Sequence, residues 1–248
     1  MTSEHIVKSY DEELNHLNET ILKMGGLAEA QLADALQTVA TRNPDLAGET
    51  VREDSKIDAL DFEVDQLVVR LLALRQPMAK DLRTIVAALK ISPEIERIGD
   101  YAANVAKRAI ALAEARPVRL ASSIPRMGRL AQRMIKEVLD AYTEGNAEKA
   151  KQVWLKDKDV DDLYNSLFRE VLTYMMEDPR NITPCTHLLF IAKNIERIGD
   201  HATNIAETIY FMVLGQPLTE TRPKGDSSPF AVVEPGRGGS TDEAGDAR

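Results

Sequence analysis

Eight acidic side chains of this 248-residue chain fall into four pairs at i, i+4: Asp54/Asp58, Glu96/Asp100, Asp157/Asp161 and Glu196/Asp200. On a helix that spacing sets both carboxylates on one face, one turn apart. Like charges so placed destabilise a helix by roughly a few tenths of a kcal/mol per pair unless a cation compensates them. Asn104 and Asn204 stand one turn beyond Asp100 and Asp200 and add an amide oxygen to each group. All-oxygen ligands suit hard divalent cations: Mg²⁺ and Mn²⁺ foremost, with Ca²⁺ and Fe also compatible. The competing reading is plainer. The same acids would form solvated helix faces, or pair with Arg97, Arg197 and nearby lysines.

Which acids can meet depends on the elements that carry them. Gly and Pro are sparse before residue 222, and apolar residues recur at helical spacing between them. Six helices are expected: about Lys8 to Ala40, Asp45 to Leu74, Ala79 to Ala115, Ile124 to Thr143, Ala147 to Met176 and Pro184 to Leu214. Gly145 and Gly215 fall where helix C-caps belong. No alternating β-branched run signals a strand, so the body reads as all-α.

In an antiparallel helix hairpin, residues equidistant from the turn face each other. The midpoint of Asp58 and Glu96 is position 77, as is that of Asp54 and Asp100, and residue 77 is a proline at the expected turn. Both corresponding midpoints in the second half fall at 178.5, between Asp178 and Pro179. Each hairpin therefore brings four carboxylates to one level, two from each helix. Gly99 and Gly199 lie inside the motif, where a side chain would hinder close approach.

These parallels reflect an internal repeat. Ile95-Glu96-Arg97-Ile98-Gly99-Asp100 returns unchanged as residues 195–200, and Ala102, Asn104 and Ala106 match Ala202, Asn204 and Ala206 at the same offset of 100. Earlier in each half the offset is 103: Met24-Gly25 matches Met127-Gly128, and Asp54 and Asp58 match Asp157 and Asp161. The chain thus reads as two tandem pseudo-symmetric three-helix bundles, residues 1–116 and 117–221, followed by a tail. The tail, 222–248, holds 8 of the chain's 24 Gly and Pro residues. It buries too little apolar surface to offset its ordering entropy and is expected to be disordered.

Composition narrows the function. With 31 Lys and Arg against 40 Asp and Glu, the formal net charge is -9, unsuited to direct nucleic-acid binding, which needs clustered basic side chains. The single cysteine, Cys185, excludes an internal disulfide framework. The polar N-terminus lacks an apolar signal-peptide core. The longest runs free of Asp, Glu, Lys and Arg, Asn181 to Ala192 and Thr208 to Thr219, fall short of the about 20 residues a membrane span needs. A cytoplasmic protein is expected.

Other candidate sites are weaker. Glu13 and His16 have Glu-x-x-His spacing, but a ferritin-like di-iron centre needs two such motifs. His201 follows Asp200, yet Tyr101 takes that place in the first copy, which favours a plain surface histidine. Cys185 reads as an inert core thiol, and Trp154, Met175 and Met176 as packing residues. Gly25-Gly26 inside the first helix costs about 1 kcal/mol each relative to Ala and points to a close helix crossing.

The repeated IERIGD element, with Asn four residues past its Asp, resembles the PhoU family of phosphate-transport accessory regulators. Agreement extends to Met24-Gly25-Gly26, Arg75-Gln76-Pro77 and Tyr174-Met175-Met176-Glu177-Asp178-Pro179-Arg180, and covers about residues 8 to 220. The resemblance implies two three-helix bundles related by a pseudo-twofold axis, with divalent metal ions (Mg, Mn, Fe or Zn) on the paired acids. It implies contact with the ATP-binding subunit of the phosphate ABC transporter and with a PhoR-type sensor histidine kinase. An exposed bundle face makes a homodimer the expected assembly. Membrane association would then be peripheral, through partners alone. Pro93, opposite Lys193 in the other copy, departs from the repeat and should kink the third helix one turn before its motif. Two functions compete: a non-enzymatic negative regulator of the phosphate-starvation response, and a carboxylate-bridged metalloenzyme acting on phosphate compounds. No nucleophile with an adjacent base is legible.

Overall fold

Helix stop signals divide the chain. A computed structural model describes residues 2–118 and 123–222, with side chains from Ser9 onward. Its helices are α1 (Thr2–Thr41), α2 (Pro44–Arg75), α3 (Ala79–Glu114), α4 (Ser123–Glu144), α5 (Ala147–Leu155), α6 (Asp157–Glu177) and α7 (Ile182–Leu214), with a 3₁₀ turn at Pro179–Asn181 before α7. No strand occurs among the described residues. The disorder expected of residues 223–248 lies outside the described residues.

Asn43 accepts from the N–H groups of Asp45 and Leu46 at the start of α2, where Pro44 needs no partner for a missing N–H. Asn146 caps α5 in the same way through Lys149 N–H. Gly145 and Gly215 adopt positive φ, 59° and 73°, after α4 and α7. Both hairpin turns lie where the acid midpoints place them, Gln76–Met78 and Asp178–Asn181.

One expectation changes. The fifth helix is not continuous: at Lys156 the hydrogen bonding tightens to i→i−3, Lys156 N–H to Val153 O and Asp159 N–H to Lys156 O, and Asp157 begins a new helix. Acids at such an N-terminus are favoured by the helix dipole. Pro93 lies inside α3.

Helices α1–α3 form one bundle and α4–α7 the other. A buried stripe on α1, Leu17, Ile21, Met24, Ala28, Leu32 and Ala35, follows helical spacing and packs on α2 and α3. Between bundles, α3 packs most extensively against α7, and α1 crosses α4. Repeat-related residues meet there. A Cβ on Gly25 would run into Leu139, and one on Gly128 into Leu36. These pairs exchange under the offset of 103, as a pseudo-twofold axis requires. Tyr101 stacks on His201 with ring centroids 5.4 Å apart, so repeat-equivalent side chains touch between α3 and α7. Gly25 explains the expected close crossing; Gly26 has open space where its Cβ would go.

Candidate metal centre

Each carboxylate cluster is built by two antiparallel helices that share a turn, α2 with α3 and α6 with α7. The registers read from the sequence are the registers of the structure. In the first cluster burial raises the Asp54 pKa, opposed by a hydrogen bond from Gln31, and the fields of Asp100 and Asp58 raise it further. Burial also raises that of Glu96, as do Asp100, Asp58 and Asp61. Like charges that shift one another this way stand close together.

Asp54 accepts from Gln31 Nε2 at 3.1 Å, and Gln31 also donates to Thr50 O at 3.2 Å. Asn104 Oδ1 accepts weakly from Lys107, at 3.4 Å. The first cluster is open: Asp58 and Asp100 are exposed, Asp54 and Glu96 half-buried. Gly99 matters here, because its Cβ would lie 2.8 Å from Ile57 Cδ1 and 3.1 Å from Asp54 Oδ1. Gly199 does not, since its Cβ would meet Val160 at an ordinary 3.5 Å.

The second cluster is buried. Asp157, Asp161 and Glu196 are only 2, 3 and 5 % exposed. Glu196 Oε1 accepts from Lys193 Nζ at 2.9 Å, while its Oε2 is buried with no hydrogen-bond partner among the described residues. Burial pushes the Glu196 carboxyl up to about 7, opposed by Lys193 and reinforced by Asp200 and Asp161. Thr203 Oγ1 reaches Asp157 Oδ1 at 3.3 Å. An arginine completes the cluster: Arg222 Nε donates to Asp157 Oδ2 at 2.8 Å, and its Nη2 to Asp157 Oδ1 at 2.9 Å and Asp200 Oδ1 at 2.6 Å. One guanidinium thus spans α6 and α7 and brings Asp157 and Asp200 to one level, as the hairpin register requires.

Arg222 is the first correction at the site. The composition of the tail assigns it to disorder, yet it is largely buried against the bundle. The expected alternative of pairing with a nearby lysine holds for Glu196, whose partner Lys193 stands at the i, i+3 spacing of a helical ion pair; sequence reasoning passed over Glu94. Glu94 Oε2 meets His201 Nδ1 at 2.7 Å and accepts from Asn204 Nδ2 at 2.9 Å. Burial works against the Glu94 charge, but these two hydrogen bonds prevail and lower its pKa. His201 is therefore no plain surface histidine; it is 13 % exposed and joins the two bundles.

The remaining candidates separate. Glu13 pairs with Arg75 and Arg70, and His16 with Glu63, so they face different partners. Cys185 is fully buried, and burial pushes its thiol pKa up, as an inert core thiol requires. Trp154 is buried and donates to Glu207 Oε1 at 2.8 Å. Met175 packs against the core, but Met176 is exposed rather than buried.

Both clusters offer features a hard cation fits. In the first, the missing Cβ of Gly99 leaves room beside Asp54; in the second, a buried carboxylate oxygen lacks a hydrogen-bond partner among the described residues. As the side chains stand, no three Asp, Glu, His or Cys among the described residues converge on one ion-binding point. An ion would therefore have to draw the carboxylates inward.

A family model described as "PhoU domain" matches the chain twice, over residues 21–109 and 124–209, one match per bundle. The chain is 56 % identical over 225 residues to a phosphate-specific transport system accessory protein PhoU homolog of Caulobacter vibrioides, covering 90 % of this chain and 98 % of that one. A homolog so named from Rhizobium meliloti is 48 % identical over 91 % of this chain and 96 % of its own length. The crystal structure of PhoU from Pseudomonas aeruginosa superposes with a TM-score of 0.80 at 40 % identity, over 84 % of this chain and all of that one.

Proposed function

Because the chain belongs to the PhoU family, we propose that it regulates phosphate uptake and phosphate-starvation signalling. It does so by contact with the ATP-binding subunit of a phosphate transporter and with a PhoR-type sensor kinase. The family is one of accessory and regulatory proteins, not of enzymes, which sets aside the carboxylate-bridged metalloenzyme. No helix among the described residues is long and apolar enough to cross a membrane. In this reading the chain works as a homodimer on the cytoplasmic side and reaches the membrane through its partners. It acts as a negative regulator when phosphate is plentiful.

The regulatory reading is carried by the family match over both bundles; its metal part is supported by the duplicated cluster, four carboxylates in matched register on each of two symmetric hairpins. Asp54, Asp58, Glu96 and Asp100, with Asn104, would hold a divalent ion in the first bundle. Asp157, Asp161, Glu196 and Asp200, with Asn204, would hold one in the second. A bound ion supplies the positive charge that lets these acids stay ionised side by side. The residues then fix the spacing of α2 against α3 and of α6 against α7, and with it the shape a partner meets. Exposed Phe62, Val69 and Leu74 on α2, and Met78 after it, supply apolar surface of the kind that protein contacts cover.

The test is association of the purified full chain with the transporter ATPase and with the kinase's cytoplasmic part, in Mn²⁺ and in EDTA. Binding to at least one partner in Mn²⁺ is expected. It should weaken by about tenfold or more, roughly 1.4 kcal/mol, in EDTA or when Glu96, Asp100, Glu196 and Asp200 are all changed to their amides. No association with either partner in Mn²⁺ would overturn the reading.

A further inference from the structure

The two clusters share a register but not an environment, and the difference lies in the segment after α7. Gly215 turns the chain back on itself, Leu218 packs against the core, and Glu220 Oε1 pairs with Lys151 Nζ at 2.5 Å. From Leu214 back to the level of Asp200 is about 21 Å along the helix at about 1.5 Å per residue. The eight residues Gly215 to Arg222 span at most about 26–29 Å when fully extended. The strap is thus long enough to reach the cluster, and it ends with Arg222 inside it.

There the guanidinium uses all three nitrogens. Besides its bonds to Asp157 and the Asp200 carboxylate, Nη2 lies 3.5 Å from Asp200 O and Nη1 lies 3.4 Å from Asn204 Oδ1. Three of the residues that would hold an ion, Asp157, Asp200 and Asn204, thus face Arg222. Glu196 Oε2, buried in the same cluster, has no hydrogen-bond partner among the described residues. The guanidinium compensates one end of the cluster and leaves a buried oxygen unsatisfied at the other. In the first copy the donor to Asp54 is the neutral Gln31.

We propose that Arg222 is a tethered cation that occupies the Asp157/Asp200/Asn204 end of the second cluster, so that a divalent ion binds there only by displacing it. This rests on the reading of the clusters as cation sites. The two bundles then differ in function: the first takes up an ion directly, whereas ion binding in the second frees the strap from Gly215 to Arg222. Ion occupancy in the second bundle is thereby converted into release of a segment. A tethered competitor lowers apparent affinity by the fraction of time it leaves the site free.

The experiment titrates Mn²⁺ into the full chain carrying Glu96→Gln and Asp100→Asn, which disables the first cluster, with Arg222 either kept or changed to Gln or Lys. Calorimetry reads affinity and thermal melting reads stability. Arg222→Gln should tighten Mn²⁺ binding by about tenfold or more, with Arg222→Lys between the two. In EDTA the Arg222→Gln protein should melt lower than its parent, and the gap should close at saturating Mn²⁺. Equal affinity with and without Arg222, or a gap that survives saturation, would overturn the proposal while leaving the cation site standing. Absence of saturable Mn²⁺ binding in every variant, and in the unmodified chain as well, would overturn the cation-site reading and the proposal with it.

Discussion

At the scale of single residues, the repeated glycine of the IERIGD element does two different jobs. Both glycines lower helix stability by about 1 kcal/mol relative to Ala, so Gly199→Ala, whose Cβ meets Val160 at ordinary contact distance, should raise Tm. Gly99→Ala recovers the same propensity but presses on Ile57 and Asp54. Overpacking of that kind costs about 1–3 kcal/mol, so Tm should fall or at best hold. Thermal melts of the two variants in EDTA check this, and equal shifts of one sign would contradict the asymmetry.

Glu196 makes a second residue-scale prediction. Burial holds its folded pKa at about 7, against an ordinary 4.5. The folded state therefore keeps a proton that the unfolded chain gives up, so stability falls as pH rises through that window, and the penalty is complete above it. In metal-free protein Glu196→Gln should melt above the wild type at pH 8, and the advantage should shrink towards pH 5. An advantage that does not change with pH would mean that burial of the charge is not its source.

At the scale of elements, the pseudo-twofold crossing of α1 and α4 rests on two equivalent contacts, Gly25 under Leu139 and Gly128 under Leu36. Gly25→Ala alone should destabilise the protein by about 1 kcal/mol or more, since Leu139 must move. In a Leu139→Ala background the same change should cost less, with a coupling energy of about 0.5 kcal/mol or more. A double-mutant cycle by denaturant melts measures the coupling; strictly additive effects would place the crossing elsewhere.

The elements were largely legible in the sequence, for physical reasons. Turns were marked by Pro77 and Pro179, C-caps by Gly145 and Gly215, and the facing acids by their common midpoints. The break at Lys156 was not legible, because the flanking residues keep helical periodicity across it and the tightened bonding is a backbone feature. Neither was the exposure of Met176, which closes α6 beside the turn, where periodicity no longer says what lies opposite.

At the scale of the whole molecule, the duplication preserved the register of the clusters and changed their surroundings. The first lies at the surface. The second is enclosed and holds Lys193 and Arg222 as counter-charges. Sequence symmetry alone predicts two equal sites, because a repeat shows which residues correspond and not what covers them. The contacts that distinguish the sites are distant in the chain: Glu94 lies 107 residues from His201, and Arg222 lies 65 from Asp157. Composition assigned Arg222 to the tail, where no hydrophobic period marks the strap that carries it.

The most direct measurement is phosphatase output in phosphate-rich medium after deletion of this gene from its host, with complementation by the wild-type chain or by the chain carrying all four changes Glu96→Gln, Asp100→Asn, Glu196→Gln and Asp200→Asn. Regulation by this protein through its carboxylate clusters predicts derepression on deletion, repression restored by the wild type, and failure of the quadruple variant despite normal accumulation. Output that stays repressed without the gene would contradict the regulatory role, and full rescue by the quadruple variant would contradict the part assigned to the clusters.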